Sequence, residues 1–178
     1  MPKAVFLDRD GTVIVDKGYL DSEEGVELLQ GAAQALKRLA EAGFLLVLVT
    51  NQSGIGRGYF SKDIVDKQHQ RLNQLLAPCN VKFDAIEVCP HAPQDKCECR
   101  KPNPALLLRA AQRLNIELRD SFMIGDKRSD IETGRNAGCR CIILGTPIPE
   151  ADFAAANMAE AATFILECAD KKEPCTDA

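Results

Sequence analysis

The chain opens on a short apolar run, Ala4-Val5-Phe6-Leu7, that ends in Asp8-Arg9-Asp10-Gly11-Thr12. An uninterrupted apolar run bounded by polar and turn residues reads as a strand buried on both faces. Side chains alternate along a strand, so Asp8 and Asp10 can point the same way. Gly11 permits a sharp turn directly after them. Two acids at the mouth of a buried strand repel each other unless something positive sits between them. A hard divalent cation such as Mg²⁺, with oxygen ligands, meets that need.

Further apolar runs follow at Phe44–Thr50, Phe83–Val88, Ser121–Gly125 and Arg140–Leu144, and each reads as a buried strand. Helical segments fall between them. Gly31–Ala42 sets Leu36, Leu39 and Ala40 on one face and stops at Gly43. Ser61 suits an N-cap, with Asp63 in the first turn of a helix that ends near Pro78. Asn103 and Pro104 suit the cap and first position of a helix to about Leu114, and Ser129–Ala137 forms another, closed by Gly138. Residues 11–30 show no period and read as a loop excursion. Strands alternating with helices predict an α/β fold with a parallel sheet covered on both faces. A chain of 178 residues suits one domain, placed at 1–169, with a frayed tail over 170–178.

Ligands of such sheets bind outside the carboxyl ends of the strands. The polar clusters obey that rule. Asp8 and Asp10 follow the first strand, Thr50-Asn51-Gln52-Ser53 the second and Asp126-Lys127 the fourth, while Arg100-Lys101 lies in the excursion after the third. Such a rim suits phosphoryl transfer through an aspartyl-phosphate. Asp8 would attack phosphorus. Asp10 would protonate the leaving alcohol and then take a proton from water. Mg²⁺ held by Asp8, the backbone carbonyl of Asp10 and Asp126 would neutralise the crowded negative charge. Thr50 offers a hydroxyl to the phosphate, and Lys101 a fixed ammonium to the transferring group.

Asp8-Arg9-Asp10-Gly11-Thr12, the Thr50-Asn51-Gln52 corner, Lys101 and Gly125-Asp126-Lys127-x-x-Asp130 together resemble the four motifs of the haloacid dehalogenase-like phosphohydrolases. The match runs from Ala4 to Leu144. The resemblance implies a Rossmann-like fold, Mg²⁺, Asp8 as nucleophile and Asp10 as general acid/base. It also implies that Asp130 lies close behind the metal or Lys127; an acid on a helix surface is an equal alternative.

Cys89-Pro90-His91 is followed by Cys97-Glu98-Cys99. Three thiols and an imidazole in one short loop match a closed tetrahedral Zn²⁺ site of structural type. The loop has little apolar content, so a metal would supply the order that a core cannot. Because Cys99 directly precedes Arg100-Lys101, zinc over residues 89–99 would fix both cations at the rim. Cys139 and Cys141 read as packing residues. Cys79, Cys168 and Cys175 have no partner pattern, and His69 reads as solvated on a polar helix face.

The zinc loop Cys-x-His…Cys-x-Cys-Arg-Lys-Pro looks like that of two branches of the same family, one acting on heptose bisphosphate and the other on histidinol phosphate. Thr50-Asn51-Gln52-Ser53-Gly54-Ile55-Gly56-Arg57-Gly58 and Asp16-Lys17-Gly18-Tyr19 favour the heptose branch. Its histidinol relatives tend to carry an acid where Ser53 stands. By this resemblance Asp16, Lys17, Gly18, Tyr19, Asn51, Gln52, Ser53, Arg57, Arg100 and Lys127 contact substrate. Arg57 suits a second phosphate, and a solvated loop arginine is an equal alternative. The expected reaction removes the C7 phosphate of a heptose 1,7-bisphosphate on the way to nucleotide-activated heptose. Histidinol-phosphate hydrolysis is the alternative.

No segment is long enough for a large cap domain, so specificity is expected from loops. The net charge, 22 − 26 = −4, argues against broad binding to nucleic acid or an anionic membrane. The longest apolar stretch, Phe44–Val49, is too short to span a bilayer. With a strand starting at once and no room for a signal peptide, a cytoplasmic monomer acting on a small phosphorylated sugar is expected.

Overall fold

The structure is a computed structural model that describes residues 1–170. Of the tail expected over 170–178, residues 171–178 lie outside the described residues, and Asp170 is the last residue of a helix rather than the first of the tail. In chain order the elements are β1 (Ala4–Leu7), α1 (Ala32–Glu41), β2 (Leu45–Asn51), α2 (Ser53–Gly56), α3 (Lys62–Leu76), β3 (Ala85–Cys89), α4 (Ala105–Leu114), β4 (Phe122–Gly125), α5 (Arg128–Ala137), β5 (Arg140–Leu144), β6 (Phe153–Ala155) and α6 (Met158–Asp170).

The strands form one sheet in the order β3-β2-β1-β4-β5-β6, and every neighbouring pair is parallel. This is the doubly wound Rossmann arrangement that the alternating pattern predicts. The strand order reverses between β1 and β4, where such folds open a crevice beyond the strand ends. Alternation along β1 decides which layer each residue joins. Val5 and Leu7 pack with α1, α3 and α6 residues such as Leu36, Leu72 and Ile165, while Ala4 and Phe6 pack with Leu106 and Ala110 of α4 and Ile131 of α5. No separate cap domain is inserted among the described residues.

Several features depart from the sequence reading. Residues 145–170 add β6 and α6, beyond the last expected strand. β6 is three residues long, too short to show a period. The buried positions Met158, Ala161, Ala162 and Ile165 of α6, however, sit at helical spacing and could have been read. The excursion after β1 is folded back by isolated bridges of Ile14 with Asp10 and Leu28. Helix α4 starts one residue later than expected. Pro104 occupies the cap position, and the Asn103 side chain donates to the Cys97 carbonyl instead of capping.

His69 is buried rather than solvated, because α3 turns Val65, Gln68, His69, Leu72 and Leu76 inward. Burial, reinforced by the nearby Arg9 guanidinium, pushes the His69 imidazole down to about 4, so it is neutral near pH 7. Cys139 and Cys141 are buried packing residues, as expected.

Gly134 sets how closely α5 approaches the sheet. A Cβ there would lie 2.6 Å from both the Met123 Cβ and the Cys141 sulfur. Alanine normally favours a helix interior over glycine by about 1 kcal/mol. Overpacking a filled interface costs about 1–3 kcal/mol and should win here. Gly134→Ala is therefore expected to lower stability by about 1–2 kcal/mol in chemical denaturation. A stability gain would contradict this packing.

Candidate active site

Asp8 leaves the sheet at the reversal point. Its backbone N–H donates to the Ile124 carbonyl at 3.0 Å, so pairing with β4 extends one residue past β1. Asp8 as a whole is 5% exposed. Lys101, 6% exposed, reaches it from the loop after β3. Its ammonium lies 2.5 Å from Asp8 Oδ1 and 2.6 Å from Asp130 Oδ1, and donates to the Val49 carbonyl at 3.1 Å. Asn51, at the end of β2, holds the Lys101 backbone. Its Oδ1 accepts from the Lys101 N–H at 3.2 Å.

Asp130 is not a surface acid. It is buried in the first turn of α5, where Oδ2 accepts from the Lys127 N–H at 3.1 Å. A Cβ on Gly125 would lie 2.3 Å from the Asp130 Cβ, so glycine at the end of β4 lets this carboxylate approach.

Asp10 is held by two side chains. Buried Arg9 grips both carboxylate oxygens, Nε to Oδ2 at 3.0 Å and Nη2 to Oδ1 at 3.1 Å. Gln52 Nε2 donates to Oδ2 at 2.9 Å and also to the Thr50 hydroxyl at 2.8 Å. Arg9 is anchored in turn by Gln68 Oε1 at 2.8 Å. Arg9 could have been suspected from its place between two acids. Gln68 lies 59 residues from Arg9, and no local pattern marks it.

Charge is unbalanced on the Asp8 side. Carboxylate oxygens of Asp8, Asp126 and Asp130 lie within 4.8 Å of one another. Burial pushes the Asp8 carboxyl up to about 7, with Lys101 pulling it down and Asp130 pushing it further up. Burial likewise raises Asp126, against the pull of Lys127. Burial alone would lower Lys101, but Asp8 and Asp130 outweigh it and raise it, so the ammonium stays charged. One buried ammonium cannot balance three carboxylates. Asp126 Oδ1 is buried with no hydrogen-bond partner, which fits a ligand of a hard cation.

Most of the predicted site residues meet around one cavity of about 270 Å³. Asp8, Asp10, Asp16, Gly18, Tyr19, Asn51, Gln52, Ser53, Arg100, Lys101 and Lys127 line it, joined by Ser129 and Asp130. Four do not reach the wall: Asp126, whose carboxylate stays beside those of Asp8 and Asp130, and Thr50, Lys17 and Arg57. Thr50 is fully buried behind Gln52 and accepts its hydrogen bond. Lys17 turns away to the Gly25 carbonyl at 2.9 Å and Glu27 at 3.1 Å. Arg57 is exposed at the end of α2. Ser129 was missed, although it lies beside Asp130 at the start of a readable helix.

Next to the cavity, Cys89, His91, Cys97 and Cys99 turn their ligand atoms toward one point. Cys97 lies 3.6 Å from both Cys89 and Cys99, sulfur to sulfur, and His91 Nδ1 is 3.7 Å from Cys89 and 3.3 Å from Cys99. Sulfurs about 2.3 Å from a tetrahedral ion stand roughly 3.8 Å apart, so a single ion such as zinc could be held here. None of these cysteines is in a disulfide. The loop is tied to the cavity wall: Gly56 N–H donates to the Pro90 carbonyl at 2.8 Å, and Arg100 to the His91 carbonyl at 3.3 Å.

A model of HAD-hydrolase-like proteins matches residues 98–167. The D-glycero-β-D-manno-heptose-1,7-bisphosphate 7-phosphatase of Pasteurella multocida is 43% identical over 176 residues, covering 94% of this chain and 92% of its own length. Its counterpart in Escherichia coli K12 is 41% identical over 163 residues, with 85% of each chain covered. The chain belongs to the heptose-bisphosphate phosphatases of the HAD-like hydrolases. It is thus a phosphoric monoester hydrolase of a Mg²⁺-dependent family. A crystal structure of the D,D-heptose 1,7-bisphosphate phosphatase of B. bronchiseptica, complexed with magnesium and phosphate, matches at a TM-score of 0.85 and 32% identity. The match covers 93% of this chain and 98% of that one. The orphaned Asp126 oxygen and the clustered carboxylates fit that family's metal.

Gly11 guards this cluster. It has φ of +85°, and a Cβ would lie 2.3 Å from Asp126 Oδ2. Gly11→Ala should displace the carboxylate and weaken Mg²⁺ binding by about tenfold or more in a titration. Unchanged affinity in a folded variant would contradict the placement of the ion.

Proposed function

We propose that this enzyme removes the C7 phosphate of D-glycero-β-D-manno-heptose 1,7-bisphosphate and leaves the C1 phosphate in place. One observation carries the reading: an anion-ready floor, where Lys101 meets Asp8, opens onto a small cavity with two further cations, Arg100 and Lys127, on its walls. A monophosphate needs only the floor. A bisphosphate brings a second anion to these cations, of which Lys127 pairs with Asp16 at 3.1 Å and Arg100 donates to the His91 carbonyl. The relatives' names say that they act on this sugar.

Asp8 is the nucleophile. Its carboxylate oxygen forms a bond to phosphorus as the bond from phosphorus to the C7 oxygen breaks. Asp10, oriented by Arg9 and Gln52, gives a proton to that departing oxygen. In the second half Asp10 takes a proton from water, whose oxygen attacks the aspartyl-phosphate and releases inorganic phosphate with Asp8 restored. Lys101 stays fixed beside the transferring group and stabilises its charge. Asp8, Asp126 and the Asp10 backbone carbonyl would hold Mg²⁺, with Asp130 close behind. The ion would neutralise phosphate oxygens against the nucleophile's charge. Asp16, Gly18, Tyr19, Asn51, Gln52, Ser53, Arg100 and Lys127 form the substrate wall. Cys89, His91, Cys97 and Cys99 would hold a structural Zn²⁺, which would fix the loop that carries Arg100 and Lys101.

With purified protein and Mg²⁺, the bisphosphate should release one equivalent of phosphate and yield heptose 1-phosphate. Equal or better turnover of histidinol phosphate at the same concentration would overturn the substrate assignment. Separately, metal analysis of protein purified without added zinc should find about one zinc per chain. Stripping that zinc should lower kcat/KM while Asp8 and Asp10 stay in place. Zinc-free protein with full activity would contradict the role given to the loop.

A further inference from the structure

Single exposed apolar side chains are ordinary, and a contiguous exposed pair is more telling. Among the described residues, the exposed large hydrophobics are Met1, Tyr19, Tyr59 and Leu108. Tyr19 and Tyr59 touch each other, with ring centroids 4.8 Å apart and planes at 90°. They remain 50% and 58% exposed. Tyr19 lines the substrate cavity, and Tyr59 stands behind it without reaching the wall.

The backbone brings these two rings together from separate loops. The Tyr19 loop is shaped by Asp16, whose Oδ1 accepts from the Gly18 N–H at 2.8 Å, with Gly18 at φ of +73°. Tyr59 follows α2. Its N–H donates to the Gly54 carbonyl at 2.9 Å, one residue past the wall residue Ser53. A Cβ on Gly54 would lie 2.2 Å from Phe60 Cζ, so Phe60 covers Gly54. Gly56, at the end of α2, lies close against the cysteine loop: a Cβ there would lie 2.6 Å from the Ala92 nitrogen. The segment is therefore wedged from below and behind.

We propose that Tyr59 is a positioning residue for substrate selection, holding the Tyr19 ring as an aromatic lip at the cavity mouth. The inference rests on the function proposed above. A sugar whose reacting phosphate sits at Asp8 extends toward this lip and offers its apolar C–H surface to the Tyr19 ring. Inorganic phosphate, bound at the floor, does not reach it. The lip thus favours a phosphate ester carrying a sugar over the bare anion.

The test compares wild type, Tyr59→Ala and Tyr59→Phe. Tyr59→Ala should raise KM for heptose bisphosphate about three- to tenfold, the fold-change matching the worth of one aromatic pair. kcat and the inhibition constant of inorganic phosphate should stay within about twofold, the scatter expected of a distant surface change. Tyr59→Phe keeps the ring contact and should restore the wild-type KM. An unchanged KM in Tyr59→Ala, or a parallel loss of phosphate affinity, overturns the lip while leaving the function intact. A wild-type protein with no turnover of the bisphosphate overturns the functional reading itself. Tyr59 is exposed, so the variant keeps its core, and a melting temperature matching wild type confirms that the KM is read on folded protein.

Discussion

Lys101 is buried between Asp8 and Asp130, in contact with both and with the Val49 carbonyl. Taking these charges out of water costs several kcal/mol per ion, and a well-packed apolar substitute is often more stable. The arrangement is therefore a poor explanation of stability and a good one of chemistry. A buried ammonium beside a buried carboxylate would present a fixed positive charge to a phosphoryl group, with the proposed nucleophile next to it. Three elements must be held still for this to work: the ends of β1 and β4, and the loop after β3.

The sheet order supplies that stillness. With β1 flanked by β2 and β4, the Asp8 backbone is fixed by pairing on both sides of the central strand. Glycines at 11 and 125 then let Asp126 and Asp130 come closer than any side chain would allow. The loop carrying Lys101 has no such support from regular structure. It is tied to Asn51 on one side and, through residues 97–99, to the Cys/His cluster on the other. A structural metal in that cluster would do for the loop what hydrogen-bonded pairing does for Asp8.

Much of this was legible before any coordinates. The carboxylates proposed as catalytic, Lys101 and the Cys/His cluster stand at the ends of apolar runs or in tight groups, and strand alternation with a parallel sheet brings them to one rim. What escaped the sequence depends on side-chain direction or distant partners. Arg9 sits in plain view, but only the fold shows it turning inward to grip Asp10 against Gln68. His69 looked solvated because its neighbours on α3 are polar, yet the helix rolls that face onto the sheet. Lys17 lies beside wall residues in sequence but turns to Gly25 and Glu27, and Arg57 ends exposed at the C-cap of α2, off the wall. Asp130 could be a surface acid or a buried one on sequence grounds, and the close approach allowed by Gly125 decides the matter.

The direct test of the whole arrangement is to trap the phosphoryl group. Protein mixed with substrate and Mg²⁺ and quenched in acid within the first turnover should carry one labelled phosphoryl group, mapped by mass spectrometry to Asp8. Label on another residue, or turnover with no labelled protein at any quench time, would contradict the claim that these loop tips assemble a nucleophilic carboxylate.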